Sequence, residues 1–219
     1  MIFEDRAQAG RELARRLSAW KGSDVVVLGL ARGGLPVAEP VARALGAPLE
    51  VVVVRKLSAP QRPELAIGAL GEAGVRLLSE DVIAQTGTSS SALAASERAE
   101  RAELERRAAL YRSGRGAPNL SGRTALVIDD GLATGATARA ACRVARAWGA
   151  QHVVLAVPVA PRGLAAEMTP DADDVVVLEE PRDFYAVGEH YRDFSQTTDE
   201  EVLACLRRAR VPTERPPRT

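Results

Sequence analysis

The amino-acid sequence predicts an α/β protein with a doubly wound, mainly parallel five-stranded sheet. Continuous apolar runs of strand length alternate with segments whose apolar residues recur at helical spacing. Parallel strands that are covered on both faces have this uninterrupted apolar character. Aromatic residues make up only 4% of the chain although 46% of it is hydrophobic, which suits a sheet layered between helices better than a β-sandwich.

The amino-terminal quarter of the chain already shows this alternation. Its predicted elements are an amphipathic helix over residues 4–19, a strand over 25–30, a helix over 35–45 and a second strand over 49–54. A glycine turn, residues 31–34, joins the first strand to its helix. Arg55 and Lys56 follow directly, so we expect them at the carboxyl end of the second strand.

The alternation stops between residues 57 and 118. A polar loop, a glycine-punctuated stretch that predicts a hairpin and a long charged helix follow one another here. We therefore predict an α+β subdomain of residues 57–118, inserted into a core of residues 1–56 and 119–210. Residues 211–219 are rich in proline and charge and predict a disordered tail.

The alternation resumes after the insertion and completes the sheet. The predicted elements are a strand over residues 124–130, a helix over 136–148, a strand over 152–159, a short helix over 163–168 and a strand over 174–179. An aromatic segment and a last amphipathic helix follow over residues 184–208. We expect this carboxyl-terminal part to form a hood over the core.

Charge and cysteine content narrow the possible partners. Lys and Arg together number 29, as do Asp and Glu, so no global field would attract nucleic acid or an anionic membrane surface. Cys142 and Cys205 lie far apart in helix-like segments, which argues against a disulfide or a metal cluster. The sequence shows neither a signal peptide nor a run long enough to span a membrane, and we expect a cytoplasmic protein.

Residues 125–137, ALVIDDGLATGAT, combine features that suit a phosphorylated sugar. A buried strand would deliver Asp129 and Asp130 at the carboxyl edge of the sheet, where open α/β folds form their ligand crevice. The loop that follows has no bulky polar side chain, so its amides can surround a phosphate in front of the positive end of a helix. Its residues are Gly131, Leu132, Ala133, Thr134, Gly135, Ala136 and Thr137.

Carboxylates beside a phosphate site would repel a polyanion unless they bound hydroxyl groups or a metal ion. A ribose 5-phosphate meets both requirements, because its phosphate suits the loop and its 2- and 3-hydroxyls can donate to Asp129 and Asp130. The alternative interpretation is a strand that ends in a solvated acidic pair, followed by an ordinary helix cap.

The motif resembles the phosphoribosyl pyrophosphate site of type I phosphoribosyltransferases, which has apolar residues, two acids and a loop ending in T-G-x-T. The resemblance implies transfer of ribose 5-phosphate to a nitrogenous base, with Asp129, Asp130 and Lys56 as catalytic residues. It also implies Mg²⁺ held mainly by the substrate, without a dedicated set of protein ligands. Residues 30–36, LARGGLP, resemble the family's pyrophosphate loop. The residues implied for pyrophosphate binding are Ala31, Arg32, Gly33, Gly34, Arg55 and Lys56.

The acceptor base is less well indicated. Ala133 stands where 6-oxopurine enzymes of the family carry an acid, which argues against hypoxanthine and guanine. A hood could stack a planar base on the aromatic residues near the carboxyl terminus, although packing explains the same cluster equally well. The hood residues considered are Phe184, Tyr185, His190 and Tyr191.

Two other functions remain open at this point. The chain could be a regulatory protein that senses phosphoribosyl pyrophosphate without turnover, or a hydrolase or phosphorylase acting on a phosphorylated sugar. Homodimerisation is also left open by the sequence.

Overall fold

The computed structural model describes residues 2–113 and 116–209, apart from the side chain of Glu64, so the predicted tail lies outside the described residues. The helices are α1 (Arg6–Arg16), α2 (Gly34–Leu45), α3 (Glu80–Thr86), α4 (Ser90–Arg112), α5 (Ala136–Ala147), α6 (Leu164–Glu167) and α7 (Asp199–Arg208). The strands are β1 (Val25–Leu30), β2 (Leu49–Val52), β3 (Val54–Ala59), β4 (Arg62–Gly71), β5 (Arg76–Leu78), β6 (Thr124–Ile128), β7 (His152–Val159) and β8 (Asp174–Glu179).

The main sheet has five parallel strands in the order β2-β1-β6-β7-β8, which confirms the predicted fold class. Every residue of β1 is buried, as expected for a strand covered on both faces. One apolar cluster contains residues of α1, α2 and α7, and a second contains residues of α5. The helices therefore cover both faces of the sheet, and the ends of its strands are not covered by them.

A second, antiparallel sheet contains β3, β4 and β5, and β4 with β5 forms the predicted hairpin. The prediction of a single strand over residues 49–54 was wrong, because β2 ends at Val52 and β3 begins at Val54. The carboxylate of Glu72 accepts a hydrogen bond from the amide of Val53 at 2.9 Å, which removes that amide from either ladder. Arg55 and Lys56 therefore lie within β3 and not at the end of a core strand. The division of the chain into core and insertion stays a prediction.

The amino terminus and the carboxyl-terminal segment pair beside the main sheet. The amide of Phe3 donates to the carbonyl of His190 at 2.8 Å, and the amide of Arg192 donates to the carbonyl of Phe3 at 2.8 Å. Helix α7 begins at a capping box formed by Thr198 and Glu201. These contacts hold residues 190–199 close to the start of α1. Within the described ranges, no helix has both the length and the apolarity needed to cross a bilayer.

Candidate active site

The two candidate carboxylates follow the last residue of β6. The four residues before them, 125–128, are buried, so the strand holds its carboxyl end in a defined position. The amide of Asp130 donates to Oδ1 of Asp129 at 2.9 Å. The side chain of Asp130 is 15% exposed, so it still reaches a surface pocket. The strand thus presents two adjacent acids at the carboxyl edge of the sheet.

Burial makes both carboxylates harder to ionise. Desolvation raises the pKa of Asp129 well above its ordinary value, and the neighbouring charge of Asp130 adds to the effect. Desolvation also raises the pKa of Asp130, although the guanidinium of Arg6 opposes the rise. A pair of this kind is suited to hydrogen bonding with hydroxyl groups that replace the lost water.

Arg6, at the start of α1, is a site residue that the sequence did not reveal. Its Nε donates to Oδ2 of Asp130 at 2.8 Å, and its Nη1 donates to the carbonyl of Ser195 at 2.7 Å. Its guanidinium lies over the ring of Phe194, 3.9 Å from the ring centre. Arg6 and Asp130 are 124 positions apart, and no sequence motif connects them.

The small-residue loop after Asp130 leads directly into α5. Gly135 has a φ of 75°, a left-handed conformation that a residue with a side chain rarely adopts, and α5 begins at Ala136. Ala133 and Thr134 are exposed. Leu132 differs from the prediction, because its side chain is buried and its amide donates to the carbonyl of Val159 at 2.9 Å. The amide of Leu132 is therefore engaged with β7 and is not a phosphate donor in this structure.

The first glycine loop lies against the acidic pair. A Cβ atom on Gly33 would come within 2.1 Å of Oδ2 of Asp130, so only glycine permits this approach. The peptide bond between Ala31 and Arg32 is cis. Nη1 of Arg32 lies 3.6 Å from Oδ1 of Asp199. The amide of Ala31 donates to a carbonyl of β2 at 3.0 Å, so the prediction that it binds pyrophosphate is not supported.

A pocket of about 340 Å³ lies where these parts meet. Its lining consists of Arg6, Arg32, Gly33, Asp130, Phe194, Gln196 and Thr197. The structure therefore brings residues of the predicted pyrophosphate loop and one of the two predicted sugar-binding acids, Asp130, to one pocket. Gly34 lies against the end of β6 as well, because a Cβ atom on it would come within 2.5 Å of the carbonyl oxygen of Ile128.

Arg55 and Lys56 do not act as a pair on one surface. Nε of Arg55 donates to Oε2 of Glu100 on α4 at 2.7 Å. Lys56 lies on the other face of β3, in a groove of about 510 Å³ that it shares with Thr134 and Ala136. Successive residues of a strand point to opposite faces, so the expectation that both side chains face one pyrophosphate was wrong. Lys56 adjoins the predicted phosphate loop instead.

The four predicted hood residues have different environments. The rings of Phe184 and His190 are stacked 5.5 Å apart, and Tyr185 is 83% exposed. Tyr191 is only 6% exposed, its ring contacts Phe3 at 5.4 Å, and its hydroxyl donates to the carbonyl of Asp130 at 2.6 Å. Burial raises the pKa of Tyr191, which keeps the hydroxyl protonated as a donor. Tyr191 therefore supports the acidic pair from within the core and presents no open ring face to a base.

The carboxylates of Asp129 and Asp130 are oxygen donors of the kind that Mg²⁺ prefers. Among residues 2–113 and 116–209, no three His, Cys, Asp or Glu side chains are grouped as they would be around a metal. Mg²⁺ commonly keeps several waters and binds substrate phosphates without an all-protein cage. Binding of Mg²⁺ together with a diphosphate substrate stays a prediction.

Known proteins share this sequence and fold. A family model described as the phosphoribosyl transferase domain matches residues 2–194. Proteins from two strains of Mycobacterium tuberculosis, provisionally named as phosphoribosyl transferases, are each 55% identical over 208 residues, which cover 95% of this chain and 47% of theirs. The chain therefore spans about half the length of the curated relatives it matches.

A solved structure agrees with the sequence match. The crystal structure of TT1426 from Thermus thermophilus superimposes with a TM-score of 0.77 at 43% identity, covering 94% of this chain and 98% of that one. Together with the domain match, this confirms the resemblance that the two loop motifs indicated. The chain belongs to the phosphoribosyl transferase domain family.

Proposed function

We propose that the protein transfers ribose 5-phosphate from phosphoribosyl pyrophosphate to a nitrogenous base and releases pyrophosphate. The observation that carries this proposal is the contact between two loops at the carboxyl edge of the sheet. Asp130 follows β6 and Gly33 follows β1, and the carboxylate of the first lies directly against the backbone of the second. A sugar that carries a phosphate at one end and a diphosphate at the other requires such adjacent sites.

Each part of the substrate has a proposed partner. The 5-phosphate lies in the loop of residues 131–137, where backbone amides other than that of Leu132 and the hydroxyl groups of Thr134 and Thr137 donate to it. The ribose hydroxyls donate to Asp129 and Asp130. The pyrophosphate lies by residues 32–34, with the guanidinium of Arg32 as the charged donor. We propose Lys56 as a ligand on the phosphate side, because it shares a groove with Thr134.

The proposed reaction is a displacement at the anomeric carbon. The bond from this carbon to the pyrophosphate oxygen breaks with its electron pair, and a bond to a ring nitrogen of the acceptor forms. Positive charge that develops on the ribose is stabilised by the acids beneath it, and the departing anion by Arg32 and the loop amides. A Mg²⁺ ion bound to the substrate would lower the charge of the leaving group.

The acceptor is proposed by class alone. Ala133 is exposed and offers no carboxylate to a base, which disfavours 6-oxopurines. Phe184, Tyr185 and His190 remain the proposed hood, since Tyr185 is exposed and the other two form a stacked pair. A planar nitrogenous base would stack on such rings.

Binding and turnover need separate tests. Calorimetric titration with phosphoribosyl pyrophosphate and Mg²⁺ should show binding to the wild type and a loss of about 10- to 100-fold for Asp129→Asn and for Asp130→Asn, the cost of a charge-assisted hydrogen bond. Asp174→Asn is the matched control, because Asp174 begins β8 at the opposite edge of the sheet. Equal affinity in all four proteins would contradict the assigned site.

Turnover is measured as pyrophosphate release with a panel of nitrogenous bases. Release that depends on one base, on Mg²⁺ and on Asp130 supports the transferase. Binding with no release for any base would instead favour a regulatory protein that senses the sugar diphosphate.

A further inference from the structure

We propose that Arg6 is a positioning residue for ribose binding, which holds one oxygen of Asp130 so that the other faces the sugar. This inference rests on the proposed function and adds a residue to its binding machinery. Nε of Arg6 donates to Oδ2 of Asp130 at 2.8 Å. This bond occupies Oδ2 and leaves Oδ1 as the oxygen that accepts from a ribose hydroxyl.

The guanidinium of Arg6 is itself held in place by three groups. Besides Asp130, it contacts the carbonyl of Ser195 at 2.7 Å and the ring of Phe194 at 3.9 Å. Its side chain is only 11% exposed. A planar group bound on two edges and one face has little freedom to rotate, so it can fix the orientation of the carboxylate.

The backbone of Arg6 is fixed as well. Arg6 is the first residue of α1, whose amino end is capped by the carboxylate of Asp5 through the amide of Gln8 at 2.6 Å. The pairing of Phe3 with the segment around Tyr191 ties the same end of the helix to the aromatic segment. The site therefore receives this guanidinium from the start of α1 and the carboxylate from the end of β6.

The other neighbours of Asp130 cannot perform this role. Gly33 packs on Oδ2 but offers no side chain, and the hydroxyl of Tyr191 binds the backbone carbonyl of Asp130 and not its carboxylate. Oδ1 of Asp129 accepts from the backbone amide of Asp130, so this contact does not reach the carboxylate of Asp130. Arg32 lines the same pocket but lies near Asp199. Arg6 is the cation, among the described residues, that hydrogen-bonds the carboxylate of Asp130.

A role as a pyrophosphate ligand is the alternative for Arg6, since it lines the same pocket as Arg32. Its Nε and Nη1 already donate to Asp130 and Ser195. A guanidinium that turned to bind pyrophosphate would lose both hydrogen bonds and its contact with the ring of Phe194. We therefore assign its effect to the ribose through Asp130. Inorganic pyrophosphate distinguishes the two roles because it has no hydroxyl groups for Asp130.

The experiment is a calorimetric double-mutant cycle with phosphoribosyl pyrophosphate and Mg²⁺. It compares the wild type with Arg6→Gln, Asp130→Asn and the double variant. Arg6→Gln should weaken binding about tenfold or more, but should add less than about threefold in the Asp130→Asn protein, since the two residues act as one unit. Affinity for inorganic pyrophosphate should stay unchanged in Arg6→Gln.

Two further variants separate positioning from folding. Arg6→Lys keeps the charge but not the planar fork, and should recover part of the lost affinity. Arg15→Gln is the control on the same helix, because Arg15 is exposed and pairs with Glu12. Melting temperatures verify that each variant is folded; should Arg6→Gln not fold, the comparison is made with Arg6→Lys in the same cycle.

Each result has one meaning. Additive losses in the double variant, full affinity in Arg6→Gln or Arg6→Lys, or weakened pyrophosphate binding would overturn the inference while the proposed function stands. A wild type that does not bind phosphoribosyl pyrophosphate would overturn the proposed function, and the inference with it.

Discussion

Replacement of Glu72 by Gln should destabilise the fold strongly, because Glu72 and Arg112 form a buried ion pair. Both side chains are buried, and Arg112 also donates to the carbonyl of Val51 at 3.0 Å. The carboxylate of Glu72 additionally accepts from the amide of Val53 at 2.9 Å, at the point where the chain leaves the main sheet for the second one. The pair therefore fixes the junction that places Lys56.

The size of the effect follows from burial. Breaking a buried ion pair by removing one partner costs about 3–5 kcal/mol. An amide can still accept the hydrogen bond from Val53, so we expect the lower end, about 3 kcal/mol. For a chain of this size, 1 kcal/mol lowers the melting temperature by about 2–4 °C, which gives an expected loss of about 6–12 °C.

The assay is thermal unfolding followed by circular dichroism, with urea unfolding as a second measure of the free energy of unfolding. Glu103→Gln on α4 is the matched control, because Glu103 pairs with Arg106 and Arg107 at the surface and its loss should be much smaller. A Glu72→Gln protein that melts within the range of the Glu103→Gln control would refute the reasoning. It would mean that the junction at Val53 is held by the backbone alone.

Three other outcomes are expected from single groups. Burial raises the pKa of Asp129 above its ordinary 3.8, so above this pH the folded protein retains a proton that the unfolded chain has lost. The stability of the folded protein therefore falls as the pH rises above 3.8. Asp129→Asn should melt at a higher temperature than the wild type at about pH 8, and the difference should vanish toward about pH 4. Burial raises the thiol pKa values of Cys142 and Cys205 to about 12, so a disulfide reagent should react slowly with the native protein and rapidly with the protein in denaturant. Fast reaction of the native protein with the reagent would contradict the burial of these thiols. Thr198→Ala removes the capping box of α7 and should reduce the free energy of unfolding, measured by urea titration, by about 1 kcal/mol. An unchanged urea midpoint would contradict this prediction.

Local patterns were sufficient for most of the fold. Strands β1, β7 and β8 have the predicted bounds, because each is built around a continuous apolar run, which in β1 is buried along its whole length. The hairpin of β4 and β5 followed from its glycine residues. The break at Val53 did not, since it depends on Glu72 and Arg112, which are distant in sequence.

The candidate site was only partly accessible from the sequence. Asp129, Asp130 and the loop leading to α5 are contiguous, so their order along one strand, loop and helix was enough to indicate a phosphorylated sugar. The separation of Arg55 from Lys56 depends on β3, a strand of the second sheet in which neighbouring side chains point to opposite faces, and the apolar run before these residues does not indicate that strand.

By itself, then, the sequence determined the parallel sheet and the edge at which its acids emerge, and it predicted a loop suited to phosphate. These are consequences of hydrophobic period and of neighbouring residues. Tertiary structure alone decided that Gly33 meets Asp130, that Lys56 shares a groove with Thr134 and that Arg6 of α1 reaches Asp130. Such contacts join residues that are far apart in the chain, and their existence depends on how helices and strands pack rather than on any local preference.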